Sequence, residues 1–407
     1  MFLTYRFKLQ PKLQQHRILE GICELQRQLY NAALQERVDA WQKQKISITK
    51  LDQNKSLTQI RSFDESFSSF PVSMSRWSIA RVDEAMKGFF GRVKRGQKPG
   101  FPRFKARSRW RSFGFDEFKG IRLLGNRLVF ASFKSGLKIR MHRPIPEGSD
   151  IKSCVFTKRG RHWWVSLSVD VPAESVHLHH EAEVGLDLGV SHLVTTSDGE
   201  FIENARPKSL REKQLRIAQR ALARCKRGSM RRRKLRERLA RLQRAVYAAR
   251  TTHLHQVSSD LTKRYGFIGL EKLQTKNMTR SARGSAAEPG RNVRQKAGLN
   301  REMLDASFAR LVDFITYKAE RAGGTVVKVD PRGTSQECSS CGSTVPKTLA
   351  ERIHRCACGT VLDRDVNAAL NILHRALQAH GRARPPGGVN VGRRAVRRPG
   401  IAPGLAA

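Results

Sequence analysis

The sequence predicts a mixed fold in which an α/β domain follows an all-β part that is interrupted by helices. Apolar side chains alternate with basic ones over residues 2–10, which is the pattern of a half-buried strand. Apolar residues then recur at helical spacing within residues 11–95, and short strand-like segments return up to residue 180. From Val184 onwards, short apolar strands alternate with long helical segments, which indicates an α/β domain.

The length and the charge limit what the protein can be. With 407 residues, 39% of them hydrophobic, the chain can bury a sizeable core in two or three domains. The formal charge of +43 would strain a compact fold by self-repulsion, and a polyanionic partner is the simplest compensation. A membrane is a poorer candidate, because the sequence has no run of about 18 apolar residues and no amphipathic anchor. The first residues also make a poor signal peptide, so we expect a cytoplasmic protein that binds nucleic acid.

The helical unit begins after Pro11, which ends the first strand. Apolar residues at helical spacing predict a helix over residues 14–41. A polar stretch at residues 43–68 breaks this pattern, and a second helix is predicted over residues 73–93. Residues 11–95 are therefore expected to form a mostly helical unit inserted after the first strand.

The all-β part is predicted from five short segments. Strands are expected at residues 101–105, 110–115, 137–141, 151–157 and 163–169, the last two joined as a hairpin. Together with the first strand they would close a small barrel or sheet. The first two segments interleave aromatic and basic residues, and Arg103 and Lys105 are candidate contacts to nucleic acid. The histidine-rich tract at residues 177–180 is interpreted as the linker to the next domain.

The α/β part contains a strongly basic helical segment at residues 210–263. Gly228 and Ser229 divide this segment into two arms, so we expect an antiparallel helical hairpin. Its densest cluster of positive charge is a candidate nucleic-acid contact and consists of Arg231, Arg232, Arg233 and Lys234. A solvated charged segment would have the same composition, and this alternative stays open.

The remaining elements of the α/β part are short. Strands are predicted within residues 183–196, at 266–271 and at 325–329, and helices at 303–321 and 366–377. Residues 276–299 are rich in Gly, Ser and Arg, which indicates a mobile loop or lid. The basic residues 381–407 are expected to be disordered.

Four of the seven cysteines cluster in the sequence. They form one C-x-x-C and one C-x-C pair, each followed by Gly, and they are Cys338, Cys341, Cys356 and Cys358. Such tight turns direct two thiolates at one tetrahedral ion, so we expect Zn²⁺ in a reducing compartment. His354 is close enough to compete as a ligand, although four thiolates already complete the shell. The other three, Cys23, Cys154 and Cys225, are interpreted as ordinary packed or partly exposed thiols.

Three carboxylates stand at the ends of predicted elements in the α/β part. Asp187 ends the first strand, Glu271 ends a short apolar strand, and Asp365 opens the last helix. Each acid alone could be a surface charge or a helix cap, and Asp363 could be such a cap or a partner of Asp365. Together, in a chain with so few acids, three carboxylates in buried contexts are costly unless a metal neutralises them. Mg²⁺ or Mn²⁺ bound to such oxygens can activate water for phosphodiester hydrolysis.

These motifs resemble those of one known family. Asp187 in Gly-Leu-Asp-Leu-Gly, Glu271 in Ile-Gly-Leu-Glu-Lys-Leu and Asp365 in Asp-Arg-Asp-Val-Asn-Ala-Ala, with the paired cysteines, resemble the RuvC-like nuclease of TnpB proteins. These are OrfB products of certain insertion sequences and are related to type V CRISPR effectors. Residues 30–34, 100–105 and 334–336 are similar to family stretches as well, and the likeness covers roughly residues 1–380.

The resemblance implies a specific domain organisation. An RNase H-like RuvC domain with an inserted zinc knuckle would follow a wedge β-barrel, which a helical recognition domain interrupts. The wedge would comprise residues 1–10 and 96–180, and the recognition domain residues 11–95. The RuvC domain would comprise residues 181–335 and 361–380, on either side of the knuckle at residues 336–360.

The resemblance also implies an RNA-guided DNA endonuclease of a transposon in a bacterial or archaeal cell. Its partners would be a guide RNA from the transposon end and double-stranded DNA next to a short motif. It would act as a monomer within the ribonucleoprotein. Asp187, Glu271 and Asp365 would be the catalytic residues and would bind Mg²⁺ or Mn²⁺, while the knuckle would bind Zn²⁺.

Three other functions remain to be weighed. A nuclease-dead, RNA-guided repressor would bind DNA without cutting it, but all three acids are present. A strand-transfer or accessory transposase could use the same metal chemistry, although the sequence has no obvious module for binding transposon ends. A basic RNA-binding protein would not explain the three acids.

Overall fold

The computed structural model describes residues 2–131, 133–172, 181–285, 287–348 and 351–382. The chain divides into two compact units, Met1–Ser175 and Val176–Ala407. The histidine-rich tract at residues 177–180 lies outside the described residues, as does the basic tail from residue 383. Among the described residues, no helix is long and apolar enough to cross a membrane.

The first unit is built on a seven-stranded antiparallel sheet in the order β2-β6-β7-β1-β5-β4-β3. The strands are β1 (Phe2–Leu9), β2 (Ser112–Phe115), β3 (Arg122–Leu124), β4 (Arg127–Val129), β5 (Leu137–Arg140), β6 (Asp150–Arg159) and β7 (His162–Asp170). The first strand lies inside the sheet, paired with β7 along Phe2 to Lys8 and with β5 at Lys8 and Leu9. Alternate residues of β1, namely Tyr5, Phe7 and Leu9, are buried, which confirms the predicted half-buried strand.

Helices α1 (Leu13–Gln44), α2 (Lys50–Phe63), α3 (Glu65–Ser68) and α4 (Val72–Lys94) lie between β1 and β2 in the sequence. The prediction that residues 43–68 break the helical pattern was wrong, because α2 lies there. Thr49 and Asp52 form a capping box at its start. The buried residues of α2 are Gln53, which donates to the carbonyl of Ala33 (2.7 Å) in α1, and Leu57. One buried apolar residue gives no periodicity, which is why the apolar pattern missed this helix.

The predicted strand at residues 101–105 was also wrong. The backbone N–H of Lys105 donates to Asn31 Oδ1 (2.8 Å), and its carbonyl accepts from Asn31 and from Arg27. These side chains of α1 occupy the groups that a neighbouring strand would have used. The segment is therefore an extended loop held against α1, while β2 begins only at Ser112.

The second unit contains a five-stranded sheet in the order β10-β9-β8-β11-β12. Its strands are β8 (Glu183–Asp187), β9 (His192–Thr196), β10 (Phe201–Glu203), β11 (Phe267–Glu271) and β12 (Thr325–Val329). Strands β8, β11 and β12 are parallel to one another, with β12 at one edge, whereas β9 and β10 are antiparallel to their neighbours. The knuckle contributes a separate hairpin of β13 (Ile353–Arg355) and β14 (Val361–Asp363).

The helices of the second unit are α5 (Glu212–Ala223), α6 (Met230–Arg264), α7 (Thr275–Met278), α8 (Val293–Ala306), α9 (Phe308–Arg321) and α10 (Arg364–Ala379). The predicted division of the basic segment is confirmed, since α5 ends and α6 begins on either side of residues 224–229. Apolar residues of α6, α8 and α9 share one core with β8 and β11. Residues of α10 form a second core with Phe267 and Val329.

Two predictions in this part were wrong in detail. The helix expected at residues 303–321 is two helices, because Ser307 adopts a left-handed conformation (φ 57°) between α8 and α9. The loop expected at residues 276–299 is shorter, because α8 begins at Val293. The first turns of α8 are polar. They are held because Lys296 donates to the carbonyl of Met278 (2.6 Å) and Asn300 donates to that of Thr279 (3.0 Å).

Candidate metal centres

Asp187 and Glu271 lie side by side at the carboxyl ends of neighbouring parallel strands. In the register of β8 and β11, Leu186 is opposite Leu270, so Asp187 and Glu271 are the next pair. Adjacent strands are separated by about 4.8 Å, and residues at the same register share a face of the sheet. Two acids that are 84 positions apart in the sequence (187 and 271) are thereby brought together.

Two glycines admit α10 to the face that carries these acids. Gly185 and Gly269 each precede one of the acids by two positions and therefore point to the same face as Asp187 and Glu271. A Cβ atom on Gly185 would lie 2.0 Å from the carbonyl oxygen of Ala369, and one on Gly269 would lie 2.9 Å from the Cβ of Ala376. The close approach of α10 thus requires glycine at these positions.

Asp365 joins the two strand acids from the first turn of α10. Asp363, the residue before α10, caps this helix by accepting hydrogen bonds from the N–H groups of Asp365 (2.8 Å) and Val366 (3.3 Å). This confirms the helix cap, one of the two roles predicted for Asp363. The side chain of Asp365 contacts Arg364 (3.2 Å) and Arg352 (3.8 Å). Burial, the charge of Glu271 and then the charge of Asp365 raise the pKa of Asp187, which places Asp365 near this strand acid. Among the described residues, however, the four cysteines are the group whose ligand atoms lie within 4.8 Å of one another.

The electrostatics of this cluster are unfavourable without a cation. Burial, followed by the charges of Glu271 and Asp365, raises the pKa of Asp187 to about 8. Burial also raises the pKa of Glu271, although the hydrogen bond from Thr334 and the charge of Arg375 oppose this. A hard divalent ion bound to these oxygens would offset the repulsion between the carboxylates and would favour the deprotonated form of Asp187.

A hydrogen bond from Thr334 fixes the orientation of Glu271. The Thr334 hydroxyl donates to Glu271 Oε1 (2.7 Å), and both residues are buried. The backbone of Thr334 is itself held, because the Asn371 side chain donates to its carbonyl (2.8 Å) and to that of Glu337 (2.7 Å). The loop after β12 therefore positions Glu271 through one hydroxyl group.

One face of α10 holds this loop through three side chains spaced four residues apart. Asn367 accepts from the N–H of Ser339 (3.0 Å) and donates to the carbonyl of Glu337 (2.8 Å). The next of the three, Asn371, makes the contacts described above. Arg375 donates to the carbonyls of Asp330 (3.0 Å) and Arg332 (2.7 Å). The helix that carries Asp365 thus also fixes the loop that leads to the first cysteine pair.

The four predicted cysteines converge. Their sulfur atoms all lie within 4.8 Å of one another, with 3.7 Å between Cys338 and Cys358 and 3.5 Å between Cys341 and Cys356. A tetrahedral ion with Zn–S bonds of about 2.3 Å separates its sulfurs by about 3.8 Å. The C-x-C spacing of the second pair is therefore compatible with a single four-coordinate ion.

The thiols of this cluster influence one another strongly. Hydrogen bonds from Ser343 lower the pKa of Cys341 to about 6, so that this group is a thiolate at neutral pH. Four neighbouring thiolates repel one another unless a cation binds among them. The predicted competitor His354 is not part of the four-sulfur group, and its buried ring contacts Lys347 instead.

The structure gives the basic candidates of the hairpin different environments. The Arg232 guanidinium donates to the carbonyls of Leu222 (2.8 Å) and Cys225 (2.9 Å) and so holds the end of α5. Arg231 and Lys234 are exposed, and Arg233 pairs only loosely with Glu237 (3.7 Å). Three of the four side chains are therefore accessible to a polyanion, while Arg232 stabilises the hairpin turn.

The other two basic candidates lie in the loop held against α1. The Arg103 side chain is exposed, and the Lys105 ammonium lies 5.5 Å from the ring centre of Tyr30.

Sequence reasoning missed the residues that position the acids, namely Thr334, Asn367, Asn371 and Arg375. Their one available signal was the spacing of polar residues at 367, 371 and 375, which places them on one face of an otherwise apolar helix.

Two family models match this chain. Residues 166–282 match a probable transposase of the OrfB IS605 type, and residues 308–372 match the Cas12f1-like TNB domain. The first match contains Asp187 and Glu271, and the second contains the four cysteines and Asp365.

Similar proteins are found in bacteria. The protein named "Putative RNA-guided DNA endonuclease InsQ" of Escherichia coli (strain K12) is 32% identical over 307 residues, which cover 74% of each chain. A "Putative RNA-guided DNA endonuclease" of Streptomyces pristinaespiralis is 28% identical over 387 residues, 92% of this chain and 90% of that protein. Among solved structures, a mini-RNA-guided endonuclease, CRISPR-Cas phi3, has a TM-score of 0.45 at 11% identity, covering 96% of this chain and 94% of that one. This structural likeness is too weak to bear on the fold.

Proposed function

The chain belongs to the TnpB family of OrfB-type insertion-sequence proteins, and from this premise we propose that it is an RNA-guided DNA endonuclease. Its substrate would be double-stranded DNA next to a short motif, and its guide an RNA from the transposon end. The guide would supply sequence specificity by base pairing. The basic surface of the protein would hold the nucleic acids by their phosphates.

One observation carries the proposal that the protein cuts DNA. Asp187, Glu271 and Asp365 come from three separate elements, and the charges of the other two acids act on Asp187 at the carboxyl end of its strand, where burial and these charges raise its pKa to about 8. This position at the carboxyl edge of the strands is a usual place for ligands in α/β sheets. The strand order, with the antiparallel strands β9 and β10 on one side of β8 and the parallel strands β11 and β12 on the other, supports an RNase H-like RuvC core.

We assign the three acids as ligands of Mg²⁺ or Mn²⁺. Such ions, when bound, would activate a water molecule and stabilise the leaving oxygen of the phosphodiester. The chain's own residues would orient this centre: Thr334 fixes one oxygen of Glu271, and the Asp363 cap fixes the helix turn that carries Asp365. The raised pKa of Asp187 means that binding would displace a proton from this group.

We further propose that Cys338, Cys341, Cys356 and Cys358 bind one structural Zn²⁺. The four sulfurs fill a tetrahedral shell, so this site has no open position for a substrate. Its role would be to fix the knuckle, from which β14 leads directly to Asp365.

The domain organisation is proposed by analogy with the family. The sheet of the first unit would be the wedge, and the four helices inserted after β1 would be the recognition domain. The second unit would be the RuvC domain with the zinc knuckle inserted between β12 and α10. The protein would act as a monomer in the ribonucleoprotein.

The convergence of the acids favours a nuclease over the alternatives. A nuclease-dead repressor would have no need for three acids that are mutually destabilising when deprotonated. A strand-transfer transposase would use the same centre, and it differs by joining DNA ends instead of leaving breaks.

The test begins with the RNA that copurifies with the protein. Sequencing should recover one transcript from the transposon end, followed by a variable guide. The reconstituted complex should cut a plasmid that carries the matching target, and the Asp187→Ala and Glu271→Ala variants should bind the target but lose cleavage by about 10³-fold or more. Near-normal cutting by Asp187→Ala would overturn the assignment of the centre, and joined DNA products would favour the transposase.

A further inference from the structure

A cavity of about 220 Å³ in the first unit is lined mainly by positively charged side chains. We call it the arginine pocket, and its cationic residues are Arg81, Arg103, Lys105, Arg109 and Arg111. They come from α4 and from the loop that leads into β2. The pocket therefore gathers residues from two parts of the sequence that are remote from the carboxylate cluster.

The charge of the arginine pocket is uncompensated within the described residues. No carboxylate lines the cavity, and none of its five cationic side chains forms an ion pair with an acid in the described part of the chain. Cations gathered around so small a volume repel one another, and an anion in the cavity would relieve that repulsion.

Trp110 adds a second aromatic ring to the lining of the pocket. It lines the cavity, is only 7% exposed, and packs against Tyr30, with ring centres 5.0 Å apart. Its indole N–H is buried and has no hydrogen-bond partner among the described residues. Buried donors of this kind are rare in native proteins, because each loses its hydrogen bonds to water. Because the accessible surface of this nitrogen is below 1 Å², the Trp110 ring offers the pocket apolar contact area and not a hydrogen bond.

The size and the aromatic rim of the pocket indicate what else it holds. Pockets for complete small molecules usually measure about 300–1,000 Å³, so this cavity suits one phosphate with part of its nucleotide. Phe104 lines the cavity with a side chain that is 52% exposed. An exposed ring beside a cationic groove is the arrangement on which unpaired bases stack.

We propose that the arginine pocket binds one unpaired nucleotide of a nucleic-acid strand. Its phosphate lies among the five cations, and its base stacks on Phe104. The choice of nucleic acid over other polyanions rests on the proposed function. The chemistry is shared by an RNA strand and by a separated DNA strand.

Photo-crosslinking to the full-length protein, without guide RNA or added divalent ions, tests this site directly. The probes are single-stranded octamers that contain 4-thiouridine or 4-thiothymidine, and a DNA duplex that carries the same thio base. We expect the octamers to crosslink to the peptide around Phe104 and Trp110, and the duplex to do so at least about tenfold less. The octamer with the higher yield identifies the source of the strand.

Matched variants distinguish binding in the arginine pocket from attraction to the positive charge of the protein as a whole. Arg103→Gln with Arg109→Gln should remove most of this crosslink, whereas Arg122→Gln with Arg140→Gln, two exposed arginines on β3 and β5, should leave it unchanged. Phe104→Ala removes the exposed ring on which the base stacks, and it should weaken octamer binding about tenfold.

The pocket assignment is overturned if the peptide is not labelled in the wild type, if both double variants lose the crosslink equally, or if the duplex labels as well as the octamers. Since no cleavage is measured, a failure of the nuclease proposal leaves these results intact. Guided cleavage without the crosslink would overturn only the pocket.

Discussion

At the scale of single residues, the protonation of Asp187 links stability to metal binding. Its pKa in the folded protein, about 8, lies above the usual value of 3.8, so the folded state retains a proton that the unfolded state releases between these values. The group therefore lowers the free energy of unfolding progressively as the pH rises from about 4 to about 8.

We predict that Asp187→Asn is more stable than the wild type without divalent ions. The difference should be near zero at pH 4 and should grow to about 5 kcal/mol at pH 8, because each unit of the raised pKa corresponds to about 1.4 kcal/mol and the amide has no charge to bury. Thermal unfolding across this pH range measures it. Added Mg²⁺ should stabilise the wild type and leave the variant unchanged, and a pH-independent difference would contradict the assignment.

Thr334 is a positioning residue for Glu271, and an isosteric change isolates its hydroxyl. In Thr334→Val, Glu271 loses a hydrogen bond that lowers its pKa. We predict that cleavage falls by about 10–100-fold, as for other groups that orient metal ligands. The rising limb of the pH–rate profile should also move to higher pH. Thr334→Ser should restore both, whereas a purely structural role would leave the pH profile in place.

At the scale of elements, the basic side chains of the hairpin have two different roles. Arg231, Arg233 and Lys234 are available to phosphates, whereas Arg232 holds the carbonyl end of α5. Replacing the first three by Gln should weaken binding of nucleic acids of any sequence and lower the salt slope by about 2–3. Arg232→Gln should instead lower the melting temperature with little change in that slope. Unchanged binding by the triple variant at several salt concentrations would make the hairpin a solvated spacer.

Elements with a clear apolar or chemical pattern could be predicted from the sequence, and those held by polar contacts could not. The alternation in β1 and the apolar core of β11 were sufficient to place both strands. Helix α2 was missed because it buries one apolar residue, Leu57, beside Gln53, and residues 101–105 were misassigned because Asn31 holds their backbone. The break at Ser307 depends on a single backbone conformation that no periodicity reveals.

Only part of the candidate site could be predicted from the sequence, for the same reason. Its acids stand out in so basic a chain, but their pairing follows from a strand register that only the structure provides. Thr334 and Asn371 are common uncharged residues, and their importance depends on which atoms they meet.

At the scale of the whole molecule, the knuckle and the carboxylate cluster share one support. The first cysteine pair is fixed to α10 through Asn367 and Ser339, and the second pair is followed by β14, which runs into the helix that carries Asp365. The geometry of the knuckle therefore bears on the position of a candidate metal ligand at a distance.

We predict that loss of the knuckle metal impairs stability and cleavage together. The purified protein should contain about one Zn²⁺, and Cys356→Ser should lower the melting temperature by several degrees and cleavage by at least about tenfold. Cys225→Ser is the matched control, because this partly exposed thiol lies outside the four-sulfur group. Full activity of a protein without bound zinc would refute the prediction.

The close packing of α10 on Gly185 and Gly269 also has a consequence for biosynthesis. A chain emerging from the ribosome can pair β8, β11 and β12 well before α10 is made, because α10 is the last helix of the described residues. Until then the glycine-bearing face of the sheet is bare, and Asp187 and Glu271 lack their third acid. The proposed metal centre can therefore form only after α10 has been synthesised, and a product truncated before α10 would lack Asp365.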